Sequence, residues 1–123
     1  MKPLRVSMQA FGCYLRETCV DFTLLGENPI FLITGPTGGG KTTILDAMCF
    51  ALYCRAAGGR RSWDGMRCAL APDEVSTQVD FSFRLGDAEY RFRRSLKPHI
   101  VRGSGRREFR DEHECFRKEN GEW

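Results

Sequence analysis

GPTGGGKTT, residues 35–43, is the most informative stretch of this chain, because it fits the pattern G-x-x-x-x-G-K-[ST] of phosphate-binding loops. An apolar run of strand length, residues 30–34, lies just before it. Residues 44–53 follow without a Gly or Pro. The sequence therefore predicts a strand, a loop and a helix in succession, which is the context that supports the motif.

The residue types of this stretch suit a phosphate ligand. Glycines have no Cβ, so their backbone can take positive φ and approach a ligand closely. Successive N–H groups can then form a concave anion site at the positive end of the following helix. Lys41 is expected to reach the β- and γ-phosphates, and the Thr42 hydroxyl to coordinate Mg²⁺. Lys41 is also the candidate catalytic residue, and the predicted nucleotide-binding positions are Gly35, Pro36, Thr37, Gly38, Gly39, Gly40, Lys41, Thr42 and Thr43.

Length and composition favour a globular domain or part of one. The chain has 123 residues, of which 41% are hydrophobic and 28% charged, so a disordered chain is not expected. No apolar run approaches the roughly 18 residues that a membrane helix needs. The N-terminus turns polar at once and lacks a signal-peptide pattern. We expect a cytoplasmic protein without a membrane partner.

The cysteines and histidines predict no further metal or catalytic site. The six cysteines form no C-x-x-C pair and no zinc spacing, and thiols of cytosolic proteins stay reduced. Cys49, inside the predicted helix, is interpreted as a small core residue. His99 and His113 have no ligand partner at a recognisable spacing, so a solvated position is favoured for both.

Hydrophobic periodicity predicts an α/β domain. Residues 4–10 alternate as a half-buried strand, and residues 18–22 are expected to form a hairpin with them through a turn at residues 11–14. Residues 30–34 do not alternate, which predicts a central strand buried on both faces. The helix, residues 41–53, is apolar on nearly every side and is expected to be buried beneath the sheet.

The second half of the chain reads mainly as antiparallel strands. Alternation over residues 78–93, broken at Gly86-Asp87, predicts a hairpin. Three further expectations are a flexible connection over residues 55–72, a loop over residues 98–107, and a weak strand pair from 114–118 to Trp123 that turns at Asn120-Gly121.

Positive charge is concentrated in residues 84–107, which hold eight basic and two acidic residues. Such a block could contact nucleic-acid phosphates. Alternatively, Arg91 and Arg93 form the solvated face of a strand. The modest net charge and the acidic neighbours favour the second interpretation.

These residues resemble the SbcC family, the ATPase subunits of SbcCD nucleases, within the SMC-like group of DNA-repair ATPases. The resemblance covers most of residues 1–95, and Leu45-Asp46-Ala47 after the loop is its most particular feature. The other matching stretches are MKPL (1–4), MQAFG (8–12), FLITGPTG (31–38), GKTTI (40–44), FALY (50–53), GGRR (58–61) and YRFRRS (90–95).

The resemblance implies the N-terminal half of an ABC-type head, an α/β fold with a mixed or antiparallel sheet around a strand, loop and helix. It implies ATP at residues 35–43, Mg²⁺ at Thr42, and hydrolysis by the complete parent protein. That protein would control a nuclease in double-strand-break repair and recombination. The implied partners are an SbcD-type nuclease subunit, double-stranded DNA and a second copy of the head.

Two residues depart from the family pattern. Cys13 stands where the family commonly has Pro, and Cys54 stands where it commonly has Gly just past the helix. A Gly at position 54 would end the helix in a left-handed cap without strain, so Cys54 puts the helix end in question.

Several parts that the family needs are missing from the 123 residues: an acidic residue pair after an apolar run, a Leu-Ser-Gly-Gly signature, a coiled coil and a C-x-x-C apex. We therefore expect residues 1–123 to be a truncated N-terminal lobe that binds nucleotide weakly and does not hydrolyse it alone. The alternatives are another phosphate-loop NTPase such as a small kinase, a basic nucleic-acid-binding module without ATPase activity, and an inert piece that does not fold.

Overall fold

A computed structural model of the chain describes residues 1–27, 30–57, 63–103, 105 and 107–123. Within them, no helix combines the length and the apolarity that crossing a membrane would require. The elements, in chain order, are β1 (Lys2–Gln9), β2 (Thr18–Asp21), a 3₁₀ turn (Phe22–Leu25), α1 (Lys41–Tyr53), α2 (Trp63–Met66), β3 (Thr77–Leu85), β4 (Ala88–Ile100) and β5 (Arg107–Arg117).

The five strands form one antiparallel sheet in the order β2-β1-β3-β4-β5. One row of paired residues crosses the whole sheet, from Val20 through Val6, Phe81 and Phe92 to Cys115. Paired residues share a sheet face, and the central members Val6 and Phe81 are fully buried. This row therefore marks the face that carries the core.

Helix α1 covers this apolar face. Its buried side chains include Ile44, Ala47 and Phe50, and the Phe50 ring meets the Phe11 ring edge to face at 5.3 Å between centroids. Leu45 and Tyr53 are exposed on the helix. The helix bounds and the expected packing beneath the sheet are confirmed, but the burial of the helix is incomplete.

The predicted strand over residues 30–34 is not formed. These residues have no regular secondary structure, and Ile30 and Leu32 are 85% and 84% exposed. A strand is stabilised by hydrogen bonds to a neighbour, and within the described residues all five strands of the sheet pair with one another instead. The prediction of a central strand buried on both faces is therefore wrong for residues 30–34, because this apolar run pairs with none of the described strands.

The predicted hairpins are confirmed. Strands β1 and β2 are joined through the turn at residues 11–14, and β3 and β4 through Gly86-Asp87. The Asn120-Gly121 turn is also present, bridged by Glu119 and Glu122. The strand pair expected from residues 114–118 to Trp123 is not formed, because residues 114–117 belong to β5 and pair with β4.

The predicted loop over residues 98–107 is too long. Strand β4 continues to Ile100, and β5 begins at Arg107 and pairs with β4 over eleven positions. Residues 104 and 106 lie outside the described residues. The error arises because β5 is an edge strand with mostly exposed side chains, so it shows little of the apolar alternation on which strand prediction depends.

The connection after α1 is more ordered than expected where the structure describes it. Residues 58–62 lie outside the described residues, so that part of the prediction stays untested. Beyond them, the Arg67 guanidinium donates to the carbonyls of Pro72 and Val75 at 2.7 and 2.8 Å and to Thr77 Oγ1 at 2.6 Å. It also lies 4.7 Å from the centre of the Phe109 ring. Arg67 thus fixes the segment leading into β3.

Candidate nucleotide-binding site

The predicted phosphate loop, residues 35–40, leads directly into α1. Gly40 is the N-cap of this helix, with φ 89° and ψ 6° and no side-chain cap. That backbone conformation favours glycine. The first intrahelical hydrogen bond runs from the Ile44 N–H to the Gly40 carbonyl at 3.2 Å, so the amides of residues 41–43 have no acceptor within the helix.

Gly40 is crowded by the protein itself. A Cβ at this position would lie 2.7 Å from both Cys13 Sγ and the Tyr14 hydroxyl oxygen. By contrast, a Cβ at Gly38 would meet nothing within 4 Å. Close approach to a ligand is the reason that the sequence suggests for these glycines; for Gly40 the structure adds a second reason, the turn at residues 11–14.

Lys41 folds back over the loop. Its Nζ donates to the carbonyls of Gly35 and Pro36 at 2.8 and 2.7 Å, and the Gly39 N–H donates to the same Pro36 carbonyl at 3.1 Å. The ammonium group is thereby held by the two residues that open the loop. Its position places a positive charge beside the N-terminus of α1. The ammonium group and the positive end of the helix dipole both favour an anion there.

The two threonines that follow differ in their surroundings. Thr42 is exposed, whereas Thr43 is half-buried, and a Cβ at Gly12 would collide with the Thr43 methyl group. Thr42 is therefore the residue whose hydroxyl is open to a metal ion.

The residues present fit a phosphate group and a magnesium ion of the expected kind. Phosphate oxygens are suited by the helix amides that have no intrahelical acceptor and by the Lys41 ammonium group. The magnesium counter-ion is suited by the Thr42 hydroxyl. Among the described residues, no three His, Cys, Asp or Glu side chains form a metal cluster. Mg²⁺ commonly takes few protein ligands and completes its shell with phosphate oxygens and water. A single protein ligand from this segment, the Thr42 hydroxyl, is therefore compatible with a magnesium site.

Asp46, in the family-like stretch Leu45-Asp46-Ala47, lies inside the protein. Its side chain is 1% exposed and accepts a hydrogen bond from the Ala57 N–H at 2.9 Å. This bond ties the chain after α1 back to the helix. In this structure the Asp46 carboxylate thus holds the start of the connection after α1.

Four basic residues of the block form ion pairs with carboxylates: Arg84, Arg91, Arg93 and Lys97. Asp80 accepts hydrogen bonds from Arg91 at 2.7 to 3.0 Å and from Arg93 at 3.0 Å. Arg93 also reaches Glu114 at 3.3 Å. The Asp80 carboxylate raises the pKa of Arg91, chiefly through these hydrogen bonds. Both arginines lie on the sheet face opposite α1. Of the two interpretations of the basic block, this arrangement supports a polar strand face rather than a nucleic-acid site.

Several known proteins are similar to this chain in sequence. The sequence model of the AAA domain family matches residues 5–121. The SbcC subunit of the SbcCD nuclease is 45% identical over 105 residues in Vibrio cholerae, 44% over 107 residues in Lactococcus lactis and 38% over 104 residues in Staphylococcus aureus. Each alignment covers 85% of this chain but only 10% of the relative.

A solved structure shows the same fold. The SMC head domain from Thermotoga maritima matches with a TM-score of 0.57 at 20% identity, over 94% of this chain and 39% of that chain. The predicted fold class, α/β with an antiparallel sheet as in an ABC-type head, is confirmed, although residues 30–34 form no strand. The resemblance to SbcC is also confirmed, and the family match extends well beyond residue 95. The chain therefore belongs to the AAA domain family, has the fold of part of an SMC head domain, and is similar in sequence to the SbcC subunits of SbcCD nucleases.

Proposed function

We propose that this chain is the ATP-binding N-terminal lobe of an ABC-type ATPase head from an SbcC-like protein. The observation that carries the proposal is the loop over residues 35–40 leading into the N-terminus of α1, with Lys41 beside it. In this proposal residues 35–43 bind the triphosphate, Lys41 contacts the β- and γ-phosphates, and Thr42 holds Mg²⁺.

Two observations support a lobe rather than a complete head. The chain spans about a tenth of the length of the curated relatives that it matches. In addition, the apolar residues 30–34 pair with no strand among the described residues, and Ile30 and Leu32 are exposed. Both support a complete protein in which further strands flank this segment and supply the remaining groups for ATP hydrolysis. The lobe alone is then expected to bind ATP weakly and not to hydrolyse it.

The parent protein's role follows by similarity. We propose that its ATPase cycle controls an SbcD-type nuclease subunit in double-strand-break processing, in the cytoplasm. Double-stranded DNA and a second head are the further proposed partners. Support for this comes from the names of the relatives, which are subunits of the SbcCD nuclease, and from the likeness to an SMC head.

The test is a calorimetric titration of the chain with Mg-ATP. Replacing Lys41 by Ala should weaken ATP binding by about tenfold or more, because a charge-assisted contact to phosphate is lost. Lys2→Ala is the matched control, since Lys2 pairs with Glu27 away from the loop. It should bind ATP like the wild type. Equal affinity of the Lys41→Ala variant and the wild type would contradict the proposal.

Two companion measurements address the alternatives. A cooperative thermal melt followed by circular dichroism shows whether the chain folds. A titration with duplex DNA at two salt concentrations tests the basic block. A nucleic-acid-binding module would show a steep salt dependence that Lys41→Ala leaves unchanged.

A further inference from the structure

The turn between β1 and β2, residues 11–14, lies against the first turn of α1. The Tyr14 hydroxyl donates a hydrogen bond of 3.3 Å to the Gly40 carbonyl. Gly12 has φ +57°, and a Cβ there would collide with the methyl group of Thr43. Two glycines thus leave room for side chains of the opposite segment: Gly12 for Thr43, and Gly40 for Cys13 and Tyr14.

This turn is itself firmly held. The Phe11 and Tyr14 backbones exchange hydrogen bonds of 3.0 and 2.9 Å, and the Gly12 N–H donates to the Met66 carbonyl at 2.6 Å. The Phe11 ring is fully buried against Phe50. A turn fixed at both its backbone and its side chain can hold the Tyr14 hydroxyl in one place.

The Gly40 carbonyl belongs to the same planar peptide as the Lys41 N–H. In a trans peptide the C=O and N–H point in opposite directions, so fixing one fixes the other. The Lys41 N–H is among the first-turn amides that have no acceptor within the helix. A hydrogen bond from Tyr14 to the Gly40 carbonyl therefore sets the direction of an amide available to an anion.

We infer that Tyr14 is a positioning residue for the phosphate loop, holding the Gly40–Lys41 peptide in the orientation that presents the Lys41 N–H to a phosphate. The inference rests on the proposed function, because it assumes that the loop binds a nucleotide phosphate. Tyr14 acts through the peptide and does not touch the ligand. A tyrosine hydroxyl is protonated at neutral pH at its ordinary pKa of about 10. Burial, aided by Cys13, raises the pKa of Tyr14 further, so the hydroxyl remains a donor.

The test compares Tyr14→Phe with wild type in two measurements. Loss of one hydrogen bond should weaken Mg-ATP binding about threefold to tenfold. In the nucleotide-free chain, the Ile44 amide, which shares the Gly40 carbonyl as acceptor, should exchange its hydrogen faster by a similar factor of about three to ten. Tyr53→Phe is the matched control: Tyr53 is exposed at the far end of α1, and its variant should match the wild type in both.

The outcomes separate this inference from the proposed function. Wild-type affinity in Tyr14→Phe, with binding lost in Lys41→Ala, overturns the inference and leaves ATP binding in place. Faster exchange at Ile44 with unchanged affinity also overturns it, since the contact is then only structural. Absence of ATP binding by the wild type overturns the proposed function and, with it, the role of Tyr14.

Discussion

At the scale of single residues, Cys54 shows how the chain ends a helix with an unfavourable residue. Cys54 has φ 58° and ψ 30°, and its N–H donates to the Phe50 carbonyl at 3.0 Å. The left-handed conformation costs a residue with a Cβ roughly 1 kcal/mol or more relative to Gly. The helix therefore ends at Cys54, but under strain.

Replacing Cys54 by Gly should raise the free energy of unfolding by about 0.5–1 kcal/mol, because the gain at the left-handed position exceeds the extra freedom of Gly in the unfolded chain. Urea denaturation measures this change. Tyr53→Gly is the control, since Tyr53 is the last residue of α1 and Gly there should lower stability by about 0.5–1 kcal/mol. A loss of stability in Cys54→Gly would show that its side-chain contacts outweigh the strain.

At the scale of elements, Glu89 ties together the ends of three strands of the sheet. It lies at the start of β4 beside the turn from β3, and its carboxylate accepts from Lys118 Nζ, just after β5, at 2.9 Å and from Arg84 at 3.1 Å. The Lys118 N–H also donates to the Glu89 carbonyl at 2.9 Å. These contacts, first the hydrogen bond from Lys118 and then that from Arg84, lower the pKa of Glu89 below its ordinary value of 4.5.

A carboxylate whose pKa is lowered by folding stabilises the folded state above its unfolded pKa. For Glu89 this stabilisation is lost as the pH falls below 4.5 and through the folded pKa. Glu89→Gln should therefore lower the free energy of unfolding by about 0.5–1 kcal/mol at pH 7, with a smaller difference at about pH 3. Denaturation at both pH values measures the effect. Glu122→Gln, at the exposed terminal turn, serves as the control, and an equal loss at both pH values for Glu89→Gln would contradict the expectation.

At the scale of the whole molecule, two leucines show that residue type alone does not decide whether a side chain is buried. Leu32 is 84% exposed, although its neighbours read as a buried strand, whereas Leu96 in β4 is 4% exposed. The same side chain thus contributes to the core at one position and not at the other. Only the arrangement of the sheet distinguishes them.

Leu96→Ala should lower the free energy of unfolding by about 2–4 kcal/mol, because it leaves a cavity in the core. Leu32→Ala should change it by less than about 0.5 kcal/mol, since an exposed side chain is shortened. Urea denaturation of the two variants compares them directly. A large loss for Leu32→Ala would show that residues 30–34 are buried in this chain after all.

Much of the fold and the candidate site could be predicted from local pattern. The glycine and lysine spacing predicted the loop, the absence of Gly and Pro predicted α1 to its bounds, and period-two alternation predicted both hairpins. Two contacts could not be predicted from local pattern. Tyr14 donates to Gly40, which lies 26 residues further along the chain. Arg67 lies over the ring of Phe109, and strands β3 and β4 separate the two residues in the sequence. A side chain's spacing in sequence carries no information about such neighbours.

The sequence by itself determined the phosphate-loop motif, the helix that follows it, and the family, because these depend on residue types at fixed short spacings. Tertiary structure alone decided which apolar residues form the core, since burial requires a neighbouring surface. It left residues 30–34 outside the sheet of the described strands, paired Arg91 and Arg93 of the basic block with carboxylates, and placed Tyr14 on the Gly40 carbonyl. Strand pairing and ion pairing both depend on neighbours that are distant in the sequence, so they are decided only by the folded structure.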